Sequence, residues 1–340
     1  MISHDEKLFK FFYYWLIVSF VLIFIMVGVG GATRLTNSGL SITEWELFSG
    51  IFPPFTIEKW EEYFLLYKKI PQYTIINNKM NIEEFKLIFY WEYFHRVMGR
   101  LIGLFFLIPL IYFFYIKKLN KRYLYLCLFI LFMIIVQGVV GWYMVKSGLV
   151  NNTTVSHFRL ALHLFLAFVI ISSIFWLLLN VKKKTLTNFF VSKKYNYIFL
   201  FLIFLVFFQI IFGAFVSGLD AGKIYQTWPL MNNTFFPDDV SPNIQNLINF
   251  NDHSLIQFYH RCIAYLIFFY TIFVFYFIFK KKMKNLLNSF YIVFGFLILQ
   301  IILGIVTLIS DLNIYIALGH QICALLLTLS VINLHYKYIN

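Results

Sequence analysis

Eight stretches of about 20 apolar residues, the length that crosses roughly 30 Å of hydrocarbon, constrain this sequence more than any other feature. Each stretch predicts a membrane-spanning helix. The predicted helices cover residues 11–30, 90–116, 123–145, 158–179, 197–219, 255–279, 290–309 and 315–336. The composition excludes an ordinary soluble domain, because 61% of the 340 residues are hydrophobic and only 13% are charged. The sequence therefore predicts an all-α polytopic membrane protein with eight transmembrane helices.

The net charge of +13 comes from basic residues that cluster in alternate connections between these helices. Lysine and arginine gather at residues 117–122, 182–194 and 280–284, whereas the other connections hold Asp220, Asp238, Asp239, Asp252 and Asp311. Basic connections face the cytoplasm, so both chain termini are expected there and segment 31–89 is expected outside. This distribution explains the excess of basic residues, so no nucleic-acid partner is expected. We expect membrane lipid to surround the protein.

The long external segment 31–89 contains one further helical pattern. Glu58, Glu61 and Glu62 alternate with Trp60 and other aromatic residues at helical spacing. This mixture of acidic and aromatic side chains predicts an amphipathic helix that lies near the membrane surface.

A weak internal repeat relates the two halves of the chain. Residues 92–96 read Glu-Tyr-Phe-His-Arg and residues 257–261 read Gln-Phe-Tyr-His-Arg, while Gln137 and Gly141 recur as Gln300 and Gly304. Both halves begin on the same side of the membrane, so the repeat is parallel. We therefore predict two tandem four-helix bundles, an N-terminal half at 1–185 that includes the external loop 31–89, and a C-terminal half at 186–340.

Four histidines lie at a similar depth in even-numbered predicted helices: His95, His163, His260 and His320. Each is about five residues inside its apolar run, or roughly 7 to 8 Å below the external boundary. Two imidazoles that face each other in a four-helix bundle suit the two axial positions of a haem iron. Zinc is a weaker alternative, because structural zinc usually takes four ligands around one ion. Arg96 and Arg261, each next to a histidine, are candidate partners for haem propionates.

Glu92 is the one acidic residue near a helix start at the depth of the histidines. It precedes His95 by three residues, which places both on one helical face. An acid beside an iron-bound macrocycle can accept a proton or stabilise positive charge. Its counterpart in the second half is Gln257, which cannot ionise. The difference predicts chemistry in the first half and electron transfer in the second.

Short motifs are distributed over nearly the whole chain. They are GGATRLTNSGLS at 30–41, WEYFHR at 91–96, RLALHL at 159–164, GLDAG at 218–222, WPLM at 228–231, QFYHR at 257–261 and HQ at 320–321. With these motifs the sequence resembles the haem A synthase family, membrane enzymes that convert haem O to haem A for cytochrome oxidase assembly. Cys127, Cys262 and Cys323 all fall in predicted helices, so the chain is similar to the mitochondrial and alphaproteobacterial branch, whose external loops carry no cysteine pairs.

The resemblance implies a role for each candidate residue. His260 and His320 would hold a resident haem b with Arg261, and His95 and His163 would ligate the iron of the haem O substrate near Arg96. Glu92 matches the catalytic acid of the family. The implied reaction oxidises a ring methyl of haem O to a formyl group through a hydroxymethyl stage.

The resemblance also implies a setting and partners. We expect a multi-pass protein of a bacterial inner membrane with its haem sites toward the periplasm. Its expected partners are haem O, an electron partner, haem O synthase and oxidase assembly factors.

Two other functions remain open at this point. A di-haem b electron-transfer cytochrome would use the same four histidines without chemistry on either haem, but it would not need an acid in only one half. A non-enzymatic haem carrier or assembly factor would bind haem and yield no oxidised product.

Overall fold

A computed structural model describes residues 6–45, 49–150 and 152–340, so residues 46–48 of the predicted external segment lie outside the described part. The described residues form ten α-helices and no β-strand. The helices are α1 (Glu6–Leu35), α2 (Ile57–Tyr67), α3 (Ile82–Ile116), α4 (Lys121–Lys146), α5 (His157–Lys183), α6 (Asn196–Gly218), α7 (Ile244–Leu247), α8 (His253–Lys280), α9 (Lys284–Ile309) and α10 (Ile314–Ile339). All except α2 and α7 are long and apolar enough to cross a membrane, which confirms the predicted class of an all-α membrane protein with eight spanning helices.

Helix α3 begins well before the predicted start at residue 90. Asn81 caps it: the Asn81 side chain accepts hydrogen bonds from the backbone amides of Glu83 and Glu84, and the Glu84 carboxylate accepts one from the Asn81 amide. These first turns are polar, so a search for apolar stretches does not detect them. The helix contains 35 residues, which corresponds to about 52 Å at 1.5 Å per residue.

The predicted amphipathic helix of the external segment is confirmed as α2. Thr56 caps its start, and its glutamates are exposed. Its buried face consists of Trp60, Phe64 and Tyr67, which pack against the first turns of α3. Ring centres lie 5.0 Å apart for Trp60 and Phe89, and 5.0 Å apart for Phe64 and Phe85. The external segment therefore has a small aromatic core of its own.

The chain forms two compact units, one ending at Ile174 and the other beginning at Phe175. In the first unit, α3 packs against α1, α2 and α4. In the second unit, α6 packs against α8 and α10, and α9 packs against α8 and α10. The arrangement as tandem four-helix bundles with halves at 1–185 and 186–340 stays a prediction.

The three cysteines lie where the sequence analysis expected them. Cys127 is in α4, Cys262 in α8 and Cys323 in α10, and all three are free thiols. None of the three is therefore part of an external disulfide.

Candidate functional site

Each unit brings together one of the predicted histidine pairs. In the first unit His95 of α3 interacts electrostatically with His163 of α5, and in the second unit His260 of α8 interacts in the same way with His320 of α10. All four imidazoles are half-buried. Because each pair comes from two different helices, the two rings approach a common space from separate directions. Their role as iron ligands stays a prediction.

Each of the four histidines packs against a glycine of a neighbouring helix. The pairs are His95 with Gly30, His163 with Gly141, His260 with Gly213 and His320 with Gly304. A Cβ atom at Gly141 or Gly304 would lie 2.9 Å from the Cε1 atom of the facing imidazole, which is too close for a relaxed contact. These glycines therefore leave room for the rings. The sequence repeat had singled out Gly141 and Gly304 but gave no reason for them.

Three of the four imidazoles also contact a glutamine amide four residues before the glycine. The Nε2 atoms of Gln137, Gln209 and Gln300 lie 3.3, 3.3 and 3.2 Å from the Nε2 atoms of His163, His260 and His320, respectively. The amides of Gln137 and Gln209 also donate to the backbone oxygen of the same histidine, at 3.0 and 2.9 Å. These contacts fix each imidazole relative to its neighbouring helix.

Sequence reasoning missed Gln209. The signal that finds it is a repeated Gln-x-x-x-Gly spacing, at 137–141, 209–213 and 300–304. In the fourth case the position four residues before Gly30 is Met26. The ring of His95 has no glutamine partner among the described residues, so the four histidines are not equivalent.

The donor set fits a haem at each pair. Two imidazoles supply two axial ligands, whereas a structural zinc site usually takes four protein ligands. The Nδ1 atoms of His163, His260 and His320 are buried and lack a hydrogen-bond partner in the described part of the chain.

Glu92 is 2% exposed and is held by four hydrogen bonds. Its Oε2 atom accepts from the Ser41 hydroxyl at 2.7 Å and from the Ile42 amide at 2.9 Å. Its Oε1 atom accepts from Nε and Nη2 of Arg96, at 3.1 and 2.6 Å. Arg96 also donates from Nη2 to the Ile42 oxygen at 2.8 Å. Arg96 is therefore the counter-ion of Glu92, and its predicted contact with a haem propionate stays a prediction.

The second unit repeats this arrangement without the negative charge. The Gln257 amide donates to the backbone oxygen of Tyr225 at 2.8 Å, and Nη2 of Arg261 donates to the same oxygen at 3.0 Å. Nη1 of Arg261 donates to the Leu230 oxygen at 3.3 Å. In both units, therefore, the residues around the first histidine hold a connecting segment against its helix, but only the first unit uses a carboxylate to do so.

Comparisons with known proteins agree with these features. The family model COX15-CtaA, described as cytochrome oxidase assembly protein, matches residues 13–332. A "Heme A synthase" of Pelagibacter ubique is 47% identical over 100% of both chains. A "Heme A synthase" of Rickettsia felis is 40% identical over 94% of this chain and 95% of the relative, and one of Rickettsia prowazekii is 37% identical over 96% and 97%. The chain belongs to the COX15-CtaA family of cytochrome oxidase assembly proteins.

Proposed function

We propose that the protein is a haem A synthase, an oxidoreductase that converts a methyl group of haem O to the formyl group of haem A for cytochrome oxidase assembly. The observation that carries the proposal is the asymmetry of two otherwise similar histidine pairs. The Glu92 carboxylate lies three residues before His95, whereas the neutral Gln257 amide lies three residues before His260. Full-length relatives named "Heme A synthase" support the same function.

The second unit is the proposed site of a resident haem b. His260 and His320 would hold its iron, and the amides of Gln209 and Gln300 would orient the two imidazoles. A haem bound to these two imidazoles would supply one-electron transfer. Arg261 is the candidate propionate partner, and it also keeps the Tyr225 segment against α8.

The first unit is the proposed substrate site. His95 and His163 would ligate the iron of haem O and so fix the macrocycle relative to α3 and α5. Arg96 and the Ser41 hydroxyl hold the Glu92 carboxylate in one position, so its negative charge needs no rearrangement during the reaction. A fixed carboxylate at this place stabilises positive charge that develops on the substrate as the methyl group is oxidised.

The protein is a multi-pass membrane protein, and we propose that it resides in a bacterial inner membrane with both termini in the cytoplasm. The support is the alternation of lysine-rich and aspartate-bearing connections. The four histidines then lie toward the periplasm. An electron partner, haem O synthase and oxidase assembly factors are the proposed protein partners.

Haem extraction tests the function. A host that makes haem O but lacks its own synthase is compared with and without this gene, and the extracted pigments are separated by chromatography. A haem A synthase yields formyl-bearing haem A only when the gene is present. A purified protein that contains haem, in cells that accumulate only haem O, would instead identify a di-haem cytochrome or a haem carrier.

The orientation is testable with single cysteines in a variant that lacks the three native ones. We expect Lys223→Cys, next to Asp220, to react with a membrane-impermeant thiol reagent in intact cells. Lys184→Cys, next to Lys183, is expected to react only after the cells are opened. Both lysines are exposed, so side-chain burial does not distort the comparison. The reverse labelling pattern would overturn the proposed orientation.

The glycine contacts predict a difference between two alanine substitutions in α9. Gly304→Ala is expected to displace the His320 ring, because the new Cβ atom would lie 2.9 Å from Cε1. An imidazole forced off its rotamer costs about 0.5 to 1.5 kcal/mol, which weakens haem b binding by roughly twofold to tenfold. Gly295→Ala is the matched control, since its Cβ atom would meet nothing within 4 Å. The ratio of haem absorbance to protein is the measurement, and equal ratios would contradict the prediction.

A further inference from the structure

The second unit contains a cavity of about 260 Å³ at its lysine-rich end. Lys193, Lys194 and Tyr195 line it from the connection before α6, together with Asn285 at the start of α9 and Tyr338 near the end of α10. The cavity is remote from the proposed haem b site, because His320 lies near the other end of α10. No residue of either histidine pair lines it.

Lys193, Lys194 and Lys281 each place an ammonium group beside a tyrosine ring that lines the cavity. The Nζ atoms of Lys194 and Lys281 are 5.2 and 5.0 Å from the centre of the Tyr195 ring. The Nζ atom of Lys193 lies 4.9 Å from the centre of the Tyr338 ring and donates to the Tyr338 backbone oxygen at 2.5 Å. Hydrogen bonds from Lys281 and Lys194 lower the pKa of the Tyr195 hydroxyl.

No carboxylate side chain of the second unit balances these charges. Residues 175–340 contain no glutamate, and their aspartates are at positions 220, 238, 239, 252 and 311, all in connections at the opposite end. Within the described ranges, none of the three lysines forms a salt bridge. Cations that are held together without a counter-ion attract an anion from solution or from the membrane surface.

The backbone contributes little net charge at this end. Helices α6 and α9 begin at the cavity, after Tyr195 and Met283, and neither has a side-chain cap at its N-terminus. Helices α8 and α10 end at the same level, so the opposite partial charges of the helix ends largely offset one another and the lysine side chains supply the positive charge.

We propose that this cavity binds the phosphate of an anionic phospholipid headgroup. The cavity lies where membrane-spanning helices end, which is the level at which headgroup phosphates are found. Tyrosine rings flank the lysines and suit the boundary between headgroups and acyl chains. Basic pockets between transmembrane helices on the cytoplasmic side are a known type of anionic-lipid site. The proposal does not depend on the proposed function, because it involves neither histidine pair.

Native mass spectrometry of the full-length protein, released from micelles that contain phosphatidylglycerol and phosphatidylcholine, tests the proposal. We expect the unchanged protein to retain phosphatidylglycerol in preference to phosphatidylcholine. The variant Lys194→Gln/Lys281→Gln is expected to bind phosphatidylglycerol roughly 25-fold more weakly, since each lysine contributes about fivefold. The matched control is Lys117→Gln/Lys121→Gln, which removes two exposed lysines, one just after α3 and one at the first position of α4, and should retain the lipid.

Three outcomes would overturn the proposal. Equal retention by the cavity variant and the control would show that the bound lipid is elsewhere, and equal retention of the two lipids would remove the role of charge. Displacement of the lipid by millimolar inorganic phosphate would identify a soluble phosphate as the ligand. The variant Lys194→Arg/Lys281→Arg separates charge from folding, because it keeps both positive charges and is expected to restore binding.

Discussion

Replacement of His260 or His320 by alanine is expected to abolish the low-spin haem b spectrum of the purified protein. Each imidazole would occupy one axial position of the same iron, so the loss of either leaves an incomplete ligand set. The two variants should therefore give the same result, although the residues are on different helices. Visible absorption and electron paramagnetic resonance spectra of the reduced and oxidised protein are the measurements.

His253→Ala is the matched control for these variants. His253 begins the same helix as His260 but is exposed and one to two turns away. The His253→Ala variant should retain the full low-spin haem spectrum. A low-spin spectrum that survives in both His260→Ala and His320→Ala would show that this pair does not hold the resident haem. The proposed haem A synthase activity would not be contradicted by that result, because it is tested separately by the extracted pigments.

Glu92→Gln is expected to lower haem A formation by about 100-fold or more while the protein still binds haem. The substitution removes the negative charge but preserves the shape of the side chain. Ser41 and Ile42 can still donate to the remaining amide oxygen, but Arg96 loses its counter-ion, so the haem content of the variant is the check on its folding. The measurement is the ratio of haem A to haem O in extracted pigments, together with the haem content of the purified variant.

Two further variants separate the charge of Glu92 from its contribution to folding. Glu84→Gln makes the same chemical change in the capping box of α3, where glutamine also serves, and should leave haem A formation unchanged. Ser41→Ala removes one of the four hydrogen bonds to Glu92 but keeps the charge; it should cost about 1 kcal/mol of stability and leave most of the activity. A normal haem A yield from Glu92→Gln would show that Glu92 has no role in the reaction and only holds the segment around Ser41 and Ile42 against α3.

The sequence predicted the membrane-spanning helices because each one needs a long apolar stretch, and such stretches are visible without any tertiary information. The histidines were recognisable for a related reason: a polar ring in an apolar helix is conspicuous, and the repeat supplied the pairing. The first turns of α3 escaped detection because they are polar and amphipathic, although Asn81 and Glu84 form a capping box that the sequence contains.

The contacts around the histidines were harder to predict. The salt bridge between Glu92 and Arg96 follows the ordinary spacing of four residues along a helix, yet a role for Arg96 toward a propionate looked equally reasonable. The approach of Ser41 and Ile42 to the same carboxylate joins positions some fifty residues apart in the chain, which spacing alone does not reveal. Gln209 was not found because the spacing of Gln137 and Gly141 was matched only to Gln300 and Gly304, and the same spacing at Gln209 and Gly213 in α6 was not included.

The length of α3 has a consequence for how the protein is stabilised. Its first turns and α2 form an aromatic core in which Tyr67 and Phe85 are fully buried. The helix is longer than the roughly 30 Å hydrocarbon layer, and with segment 31–89 outside the membrane, as we propose, this core would lie in water on its outer side. Burial from water therefore stabilises it, whereas packing and lipid stabilise the spanning helices. Water therefore determines the stability of one part of the polypeptide, and lipid determines that of the other. Urea should loosen the external core before the spanning helices separate, and through Ile42 and Glu92 that loosening reaches the helix that carries His95.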